Sequence, residues 1–299
     1  MMMIKAVVMD MDGTLLNEKD EISPETRDYL IGLEKQGISL ILASGRSYTR
    51  LLPYAKELKM DKYGGWLIEV DGVALYETKS NTRNKFHEMP PEEIAEIFDW
   101  FTTTGAEPQA VFDDGLFDFL PERAMEKKRK IREENNLPDS YPWTAGPWGW
   151  LADLSKGYPK ISYVKSAAEI ERPVNKLQIM DDEEAIQKVF DEACSRFGER
   201  FSIYRTTPKQ LEVLPLGFSK GAAVERLMKE NGWKRDEVAV FGDGENDVSM
   251  LEAVDHSFAM GNARDYVQQK ARYVTDTNRN NGIVKGLVSL GLPESGNLN

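Results

Sequence analysis

Two short apolar runs, one helix apart, constrain the fold of this chain most. Residues 4–9 (IKAVVM) and 38–43 (ISLILA) are of strand length and nearly continuous in apolar residues, without the alternation of a sheet that faces water on one side. Such runs are expected of strands buried on both faces of a parallel sheet. Between them, Ser23-Pro24-Glu25 has the order N-cap, first-turn proline, first-turn acid, and Leu30, Leu33 and Gly37 continue and then stop the predicted helix. A second helix is predicted to begin at Ser44-Gly45-Arg46-Ser47. Strand, helix, strand, helix is the pattern of a doubly wound, Rossmann-like α/β sheet, whose ligands collect at the carboxyl ends of the strands. Asp10, Asp12 and Ser44 fall at such ends.

The last part of the chain repeats the pattern. Ser219 caps a predicted helix through Leu227 that Gly232 closes, residues 238–241 (VAVF) form a strand, and the turn GDGEND, residues 242–247, leads into a helix through Met250 and Leu251. Residues 257–260 supply a further strand. The middle reads differently, with helices over 91–101 and 182–197 and strand-like pieces at 176–180 and 201–204. This predicts an α+β domain over 84–212 inserted into a core made of 1–83 and 213–299, with a frayed tail at 293–299.

Composition excludes several classes of function. With 38 basic and 50 acidic residues the net charge is -12, which argues against nucleic acid and anionic membrane surfaces as partners. One cysteine and two histidines leave no disulfide framework and no Cys/His zinc cluster. An acidic residue at position 10 interrupts any apolar leader, and no apolar run approaches the roughly 20 residues of a membrane span. A cytoplasmic protein, monomer or homodimer, is expected. The run KKRKIR at 127–132 reads as a solvated helix face balanced by Glu122, Glu126, Glu133 and Glu134, and Cys194 as a small core residue.

The chemistry lies in the strand-end turns. Asp10 and Asp12 stand two residues apart before Gly13-Thr14, and Asp243, Glu245, Asn246 and Asp247 crowd into one six-residue turn. An ordinary Asp-Gly turn would explain the first pair, and a solvated acidic loop one or two of the second set. A calcium loop is ruled out by Leu15 at the position that needs glycine. Two carboxylate clusters at strand ends of one sheet point to a shared hard cation, and Mg²⁺ favours a few carboxylates together with water and phosphate oxygens. Ser44, in a turn before a helix, and Lys220, after an N-cap, are candidates for binding an anion beside it.

DMDGT (residues 10–14), SGR (44–46), GFSKG (217–221) and GDGEND (242–247), in that order and with a long insertion between the second and third, resemble the four motifs of the haloacid dehalogenase superfamily, and more narrowly the Cof-type phosphatases. The resemblance covers nearly the whole chain. It implies a Rossmann-like core with an inserted cap, and hydrolysis of a small phosphorylated metabolite such as a sugar phosphate or nucleotide-like cofactor. Asp10 would be the nucleophile and Asp12 the general acid and base. Mg²⁺ would be held by Asp10, the Asp12 carbonyl and Asp243, with Asp247 beside it as a direct ligand or as a partner one layer out. Ser44, Gly45, Lys220 and Asn246 would bind or orient the phosphoryl group.

Where the family usually has Asn-Gly after the third strand, this chain has Asp71-Gly72, expected to have little effect on the chemistry. Two other readings stay open: a sugar-phosphate mutase, and a catalytically idle sensor of a phosphorylated ligand. Tyr141, Trp143, Trp148 and Trp150, within the Pro/Trp-rich stretch 138–150, are candidates either for an aromatic lid over substrate or for a packed hydrophobic loop.

Overall fold

The computed structural model describes residues 4–138 and 157–294. The chain divides into two compact units, Met1–Phe86 with Phe218–Asn299, and His87–Gly217.

The first unit is built on an eight-stranded sheet in the order Tyr273–Val274, His256–Ala259, Val238–Gly242, Ala6–Asp10, Ser39–Ala43, Gly65–Glu69, Ala74–Glu77, Thr82–Lys85. The first six are parallel, and the last two form an antiparallel edge. The apolar runs are continuous because alternate residues feed two cores. Val7, Met9, Leu40, Leu42, Phe241 and Phe258 belong to one, whereas Ala6, Val8, Ile41, Ala43, Val240 and Ala259 belong to the other. Each fully buried Val, Leu or Met side chain is worth about 1.5–3 kcal/mol of hydrophobic stabilisation, so the central strands are fixed in register by both faces at once. Helix Pro24–Lys35 starts as the sequence predicts, with Ser23 Oγ accepting from the Thr26 N–H at 3.1 Å, and ends before Gly37 at φ +87°.

Chain order reverses at Ala6–Asp10. From there the sheet grows through Ser39–Ala43 and Gly65–Glu69 on one side and through Val238–Gly242 and His256–Ala259 on the other. Helices diverge from such a switch point and leave a crevice at the carboxyl ends of the strands. Asp10 ends one strand and Asp243 follows the strand beside it, since Met9 pairs with Phe241.

The second unit is α+β, with a six-stranded sheet in the order Phe201–Thr207, Gln210–Pro215, Lys176–Met180, Glu107–Phe112, Gly115–Asp118, Lys160–Tyr163. Helices Pro91–Thr102 and Glu183–Phe197 pack Ile94, Phe98, Phe101, Ile186 and Phe197 against Ala110, Leu177, Ile179 and Val213. The alternate residues of the strands form a buried polar row, in which register brings Gln109 and Glu212 to either side of Gln178. Here the structure corrects the reading of KKRKIR. Lys128, in helix Glu122–Glu134, is fully buried, with Nζ 2.6 Å from Glu107 Oε1. Burial lowers the Lys128 pKa, and burial with the Asp118 carboxyl pushes Glu107 up to about 8. A charge count along the chain does not register this, because the partner lies 21 residues away on a strand. Cys194 is only half-buried, and burial pushes its thiol up, away from the thiolate form. Tyr141, Trp143, Trp148 and Trp150 lie outside the described residues.

Candidate active site

The site forms at the carboxyl ends of four neighbouring strands in the first unit. Asp10 is the last residue of Ala6–Asp10 and is 7% exposed. Asp243 and Asp247 follow Val238–Gly242, and a carboxylate oxygen of each of the three residues lies within 4.8 Å of those of the other two. Lys220, the first residue of helix Lys220–Asn231, is completely buried among them, its Nζ 2.6 Å from Asp10 Oδ1 and 2.7 Å from Asp247 Oδ1. Asp247 is also fixed from behind, for its Oδ2 accepts the backbone N–H groups of Asp243 and Gly244, each at 2.9 Å.

Asp12 points elsewhere. Its carboxylate is held at both oxygens by the Arg46 guanidinium, with Arg46 Nε 3.1 Å from Oδ2, and its side chain stays partly exposed. Two carboxylates two residues apart therefore have different partners, one a buried lysine and the other an arginine at the rim. The residue between Asp12 and Thr14 must be glycine. Gly13 has φ +83°, and a Cβ there would sit 2.3 Å from Asp243 Oδ2, in the space the acidic cluster occupies. Thr14 Oγ1 donates to Asp243 Oδ1 at 2.8 Å and ties the first turn to the last.

The second strand end completes the floor. Ser44 is buried, and its Oγ accepts the Arg46 N–H at 3.2 Å across the Ser44-Gly45-Arg46 turn. The backbone N–H groups of Val70 and Asp71 donate to the carbonyls of Arg46 and Ser44 at 3.1 and 3.0 Å, locking two successive left-handed residues at φ +46° and +51°. For a β-branched valine this is a strained conformation, of the kind that costs on the order of 1–3 kcal/mol and collects at functional sites. Gly72, at φ +102°, lets this turn approach Ser219, whose carbonyl would be 2.3 Å from a Cβ. That approach brings Asp71 to the site. Its Oδ1 accepts from Asn246 Nδ2 at 3.0 Å and lies 3.8 Å from Lys220 Nζ.

Asp71 is thus part of the constellation that the sequence reading treated as incidental, and Arg46 and Thr14 are side-chain partners it did not assign. The signal for Asp71 was present: an acid at the carboxyl end of the third parallel strand occupies the same kind of place as Asp10 and Ser44.

The charges decide what the site can hold. One ammonium faces the carboxyl groups of Asp10, Asp247 and Asp71, and Asp243 adds a fourth acid beside Asp10 and Asp247. Burial alone would lower the Lys220 pKa, but the carboxylates of Asp10, Asp247 and Asp71 raise it well above the usual lysine value, so it is a fixed cation. Burial and the Asp247 carboxylate raise Asp10 well above its usual range against the pull of Lys220. Burial, then Asp247, push Asp243 up to about 7. Oxygen donors this close, retaining protons for want of positive charge, fit a divalent hard cation, which would replace those protons.

Among known proteins, the chain matches the haloacid dehalogenase-like hydrolase family over residues 7–148 and 152–287. It is 25% identical to the 5-amino-6-(5-phospho-D-ribitylamino)uracil phosphatase of Bacillus subtilis, covering 95% of this chain and 94% of that one. It is also 25% identical to the pyridoxal phosphate phosphatase of Escherichia coli, over 96% and 99% of the two chains. A crystal structure of a haloacid dehalogenase-like hydrolase from Bacteroides thetaiotaomicron superposes with a TM-score of 0.72 at 28% identity, over 96% of this chain and 99% of its own. The match runs through both units and all four motif regions, and the chain belongs to the haloacid dehalogenase-like hydrolases, as an enzyme of their Cof type.

Proposed function

We propose that the protein is a Mg²⁺-dependent phosphatase that hydrolyses a small phosphorylated metabolite, a sugar phosphate or a nucleotide-like cofactor, through an aspartyl-phosphate on Asp10. The observation that carries this reading is the close group of Asp10, Asp243 and Asp247 beside the buried Lys220, with a second, differently partnered carboxylate at Asp12. The two relatives named above act on phosphorylated small molecules, which supports the substrate class.

The residues divide the work as follows. An Asp10 carboxylate oxygen attacks phosphorus as the bond from phosphorus to the leaving oxygen breaks, and Asp12, released from Arg46 and protonated, gives that oxygen a proton. In the second half, Asp12 takes a proton from water, the water oxygen attacks phosphorus, and the bond from phosphorus to Asp10 breaks to release inorganic phosphate. Lys220 orients Asp10 through its 2.6 Å contact and places positive charge beside the phosphoryl oxygens. Ser44 and the Gly45 backbone are suited to receive those oxygens at a helix-start turn. Asn246, held by Asp71, is presented in one orientation. Asp10, Asp243 and the Asp12 carbonyl would hold Mg²⁺, with Asp247, whose oxygens already meet Lys220 and two backbone N–H groups, beside it, and the ion when bound supplies further positive charge against the phosphoryl group.

Inorganic phosphate release across a panel of phosphorylated metabolites, with Mg²⁺ or with EDTA, tests the reading. Turnover without an added bisphosphate activator, lost in EDTA, is the expected result. Phosphoryl exchange that requires such an activator would favour the mutase, and ligand binding without turnover the sensor.

The metal can also be tested without turnover. Because Asp243 retains a proton below about pH 7, a cation must displace it there. Mg²⁺ is therefore expected to raise the melting temperature more at pH 8 than at pH 6, its affinity falling by up to about tenfold per pH unit below 7 for each proton displaced. Equal shifts at both pH values would place the cation on other groups.

A further inference from the structure

Asp71 meets three of the four residues suited to receive the phosphoryl group. Its backbone N–H donates to the Ser44 carbonyl at 3.0 Å, its Oδ1 accepts from Asn246 Nδ2 at 3.0 Å, and the same oxygen lies 3.8 Å from Lys220 Nζ. The residue is 1% exposed. An acid buried against the donors of an anion site works against the anion, so its presence there needs a reason.

Neither conformation nor hydrogen bonding supplies that reason. The turn holds Asp71 at φ +51°, a left-handed conformation that asparagine tolerates as well as aspartate does. An amide oxygen would also accept the Asn246 N–H group. What asparagine lacks is the charge. The charge is not cancelled by the cation either, because Asp71 stands outside the close group of Asp10, Asp243 and Asp247 that would hold it. With that group occupied, the Asp71 carboxylate still faces Lys220.

Lys220 is therefore divided between a fixed anion and whatever phosphate the site receives. Like charges side by side in a buried, poorly screened site repel strongly, and a phosphate dianion feels this in the substrate and in the released product alike. An effect common to both weakens binding without changing the barrier between bound substrate and transition state. Its benefit lies at the end of the cycle, where departure of product often limits turnover.

We propose that Asp71 sets the affinity of the site for phosphate, its carboxylate loosening the hold of Lys220 on the phosphoryl group so that inorganic phosphate leaves readily after hydrolysis. The role rests on the phosphatase reading above and is exerted through Lys220. Asp71 is a positioning residue for Asn246 and an electrostatic counterweight to the one buried ammonium.

The test is calorimetric titration of the full-length protein with inorganic phosphate in the presence of Mg²⁺, for wild type and Asp71→Asn, together with phosphate inhibition of whichever panel metabolite is turned over. The asparagine variant keeps the turn and the acceptor for Asn246 and changes only the charge. It is expected to bind phosphate at least tenfold more tightly, with KM and the inhibition constant for phosphate falling together. A residue that only held Asn246 would leave both constants unchanged in this variant. Should Asp71→Asn fail to fold, Asp71→Gly takes its place, since glycine accepts φ +51° without strain, and tighter phosphate binding than wild type is again expected. Turnover with phosphate affinity unchanged or weakened in the folded variant would overturn this role and leave the phosphatase reading intact. Failure of both proteins to bind phosphate or to release it from any metabolite would overturn the two together.

Discussion

Lys220→Met is expected to destabilise the protein by about 3–5 kcal/mol and to abolish phosphate release. Breaking a buried ion pair costs this much because the partner charge stays behind in a medium that solvates it poorly. Here the loss is compounded, since Asp10, Asp247 and Asp71 all face the same ammonium. The effect has a definite pH dependence. Those carboxylates raise the Lys220 pKa, so its stabilisation is fully present below the ordinary lysine range and is lost only as pH climbs above it. Denaturant unfolding of wild type and variant at pH 5 and pH 8 should show the larger gap at pH 8, where the abandoned carboxyl groups are more fully ionised. A methionine variant as stable as wild type at pH 8 would mean that Lys220 is not a structural cation.

Asp10→Asn should separate chemistry from folding. The amide keeps an oxygen toward Lys220 but cannot attack phosphorus, so turnover is expected to fall by on the order of 10⁴-fold or more, as when other enzymes lose a nucleophile. Stability should move the other way. Burial and Asp247 raise the Asp10 pKa in the metal-free protein, which means its ionised form costs folding free energy once pH exceeds the unfolded carboxyl value. The asparagine variant should therefore melt at or above the wild-type temperature in EDTA at pH 8, and gain less from added Mg²⁺. Residual turnover within tenfold of wild type would exclude Asp10 as the nucleophile. A lower melting temperature in EDTA would mean that Asp10 is ionised and stabilising in the free protein, and that the acidic group is less crowded than the geometry indicates.

The two variants distinguish the roles of a contact that both share. Lys220 and Asp10 meet at 2.6 Å, yet removing the cation leaves several carboxyl groups unbalanced, while neutralising the anion relieves them. Opposite signs on stability with the same sign on activity are the signature of one cation serving a surplus of acids.

How much of this was legible beforehand follows from the range of each signal. The strands Ala6–Asp10, Ser39–Ala43 and Val238–Gly242 were readable because burial on two faces writes itself into consecutive residues. The helix starts at Ser23 and Ser219 were readable because the capping hydroxyls bond to N–H groups three residues on. The four motif turns were readable as strand ends for the same local reason. Lys128 was misread as a solvated lysine, because the charge that buries it is carried by a strand and not by its own helix.

What the sequence determined by itself is the periodicity that makes a doubly wound sheet, and with it the rule that Asp10, Ser44, Asp71 and Asp243 all stand at carboxyl ends of strands. Tertiary structure alone decided which of them share a partner. Lys220 reaches Asp10 across 210 residues, Asn246 reaches Asp71 across 175, and Thr14 reaches Asp243 across 229. Those meetings depend on the strand order around Ala6–Asp10 and on the left-handed turn at Val70 and Asp71. Periodicity reports which face of an element is buried. It carries no information on which elements become neighbours, and the electrostatics of a buried site depend on neighbours within a few ångströms.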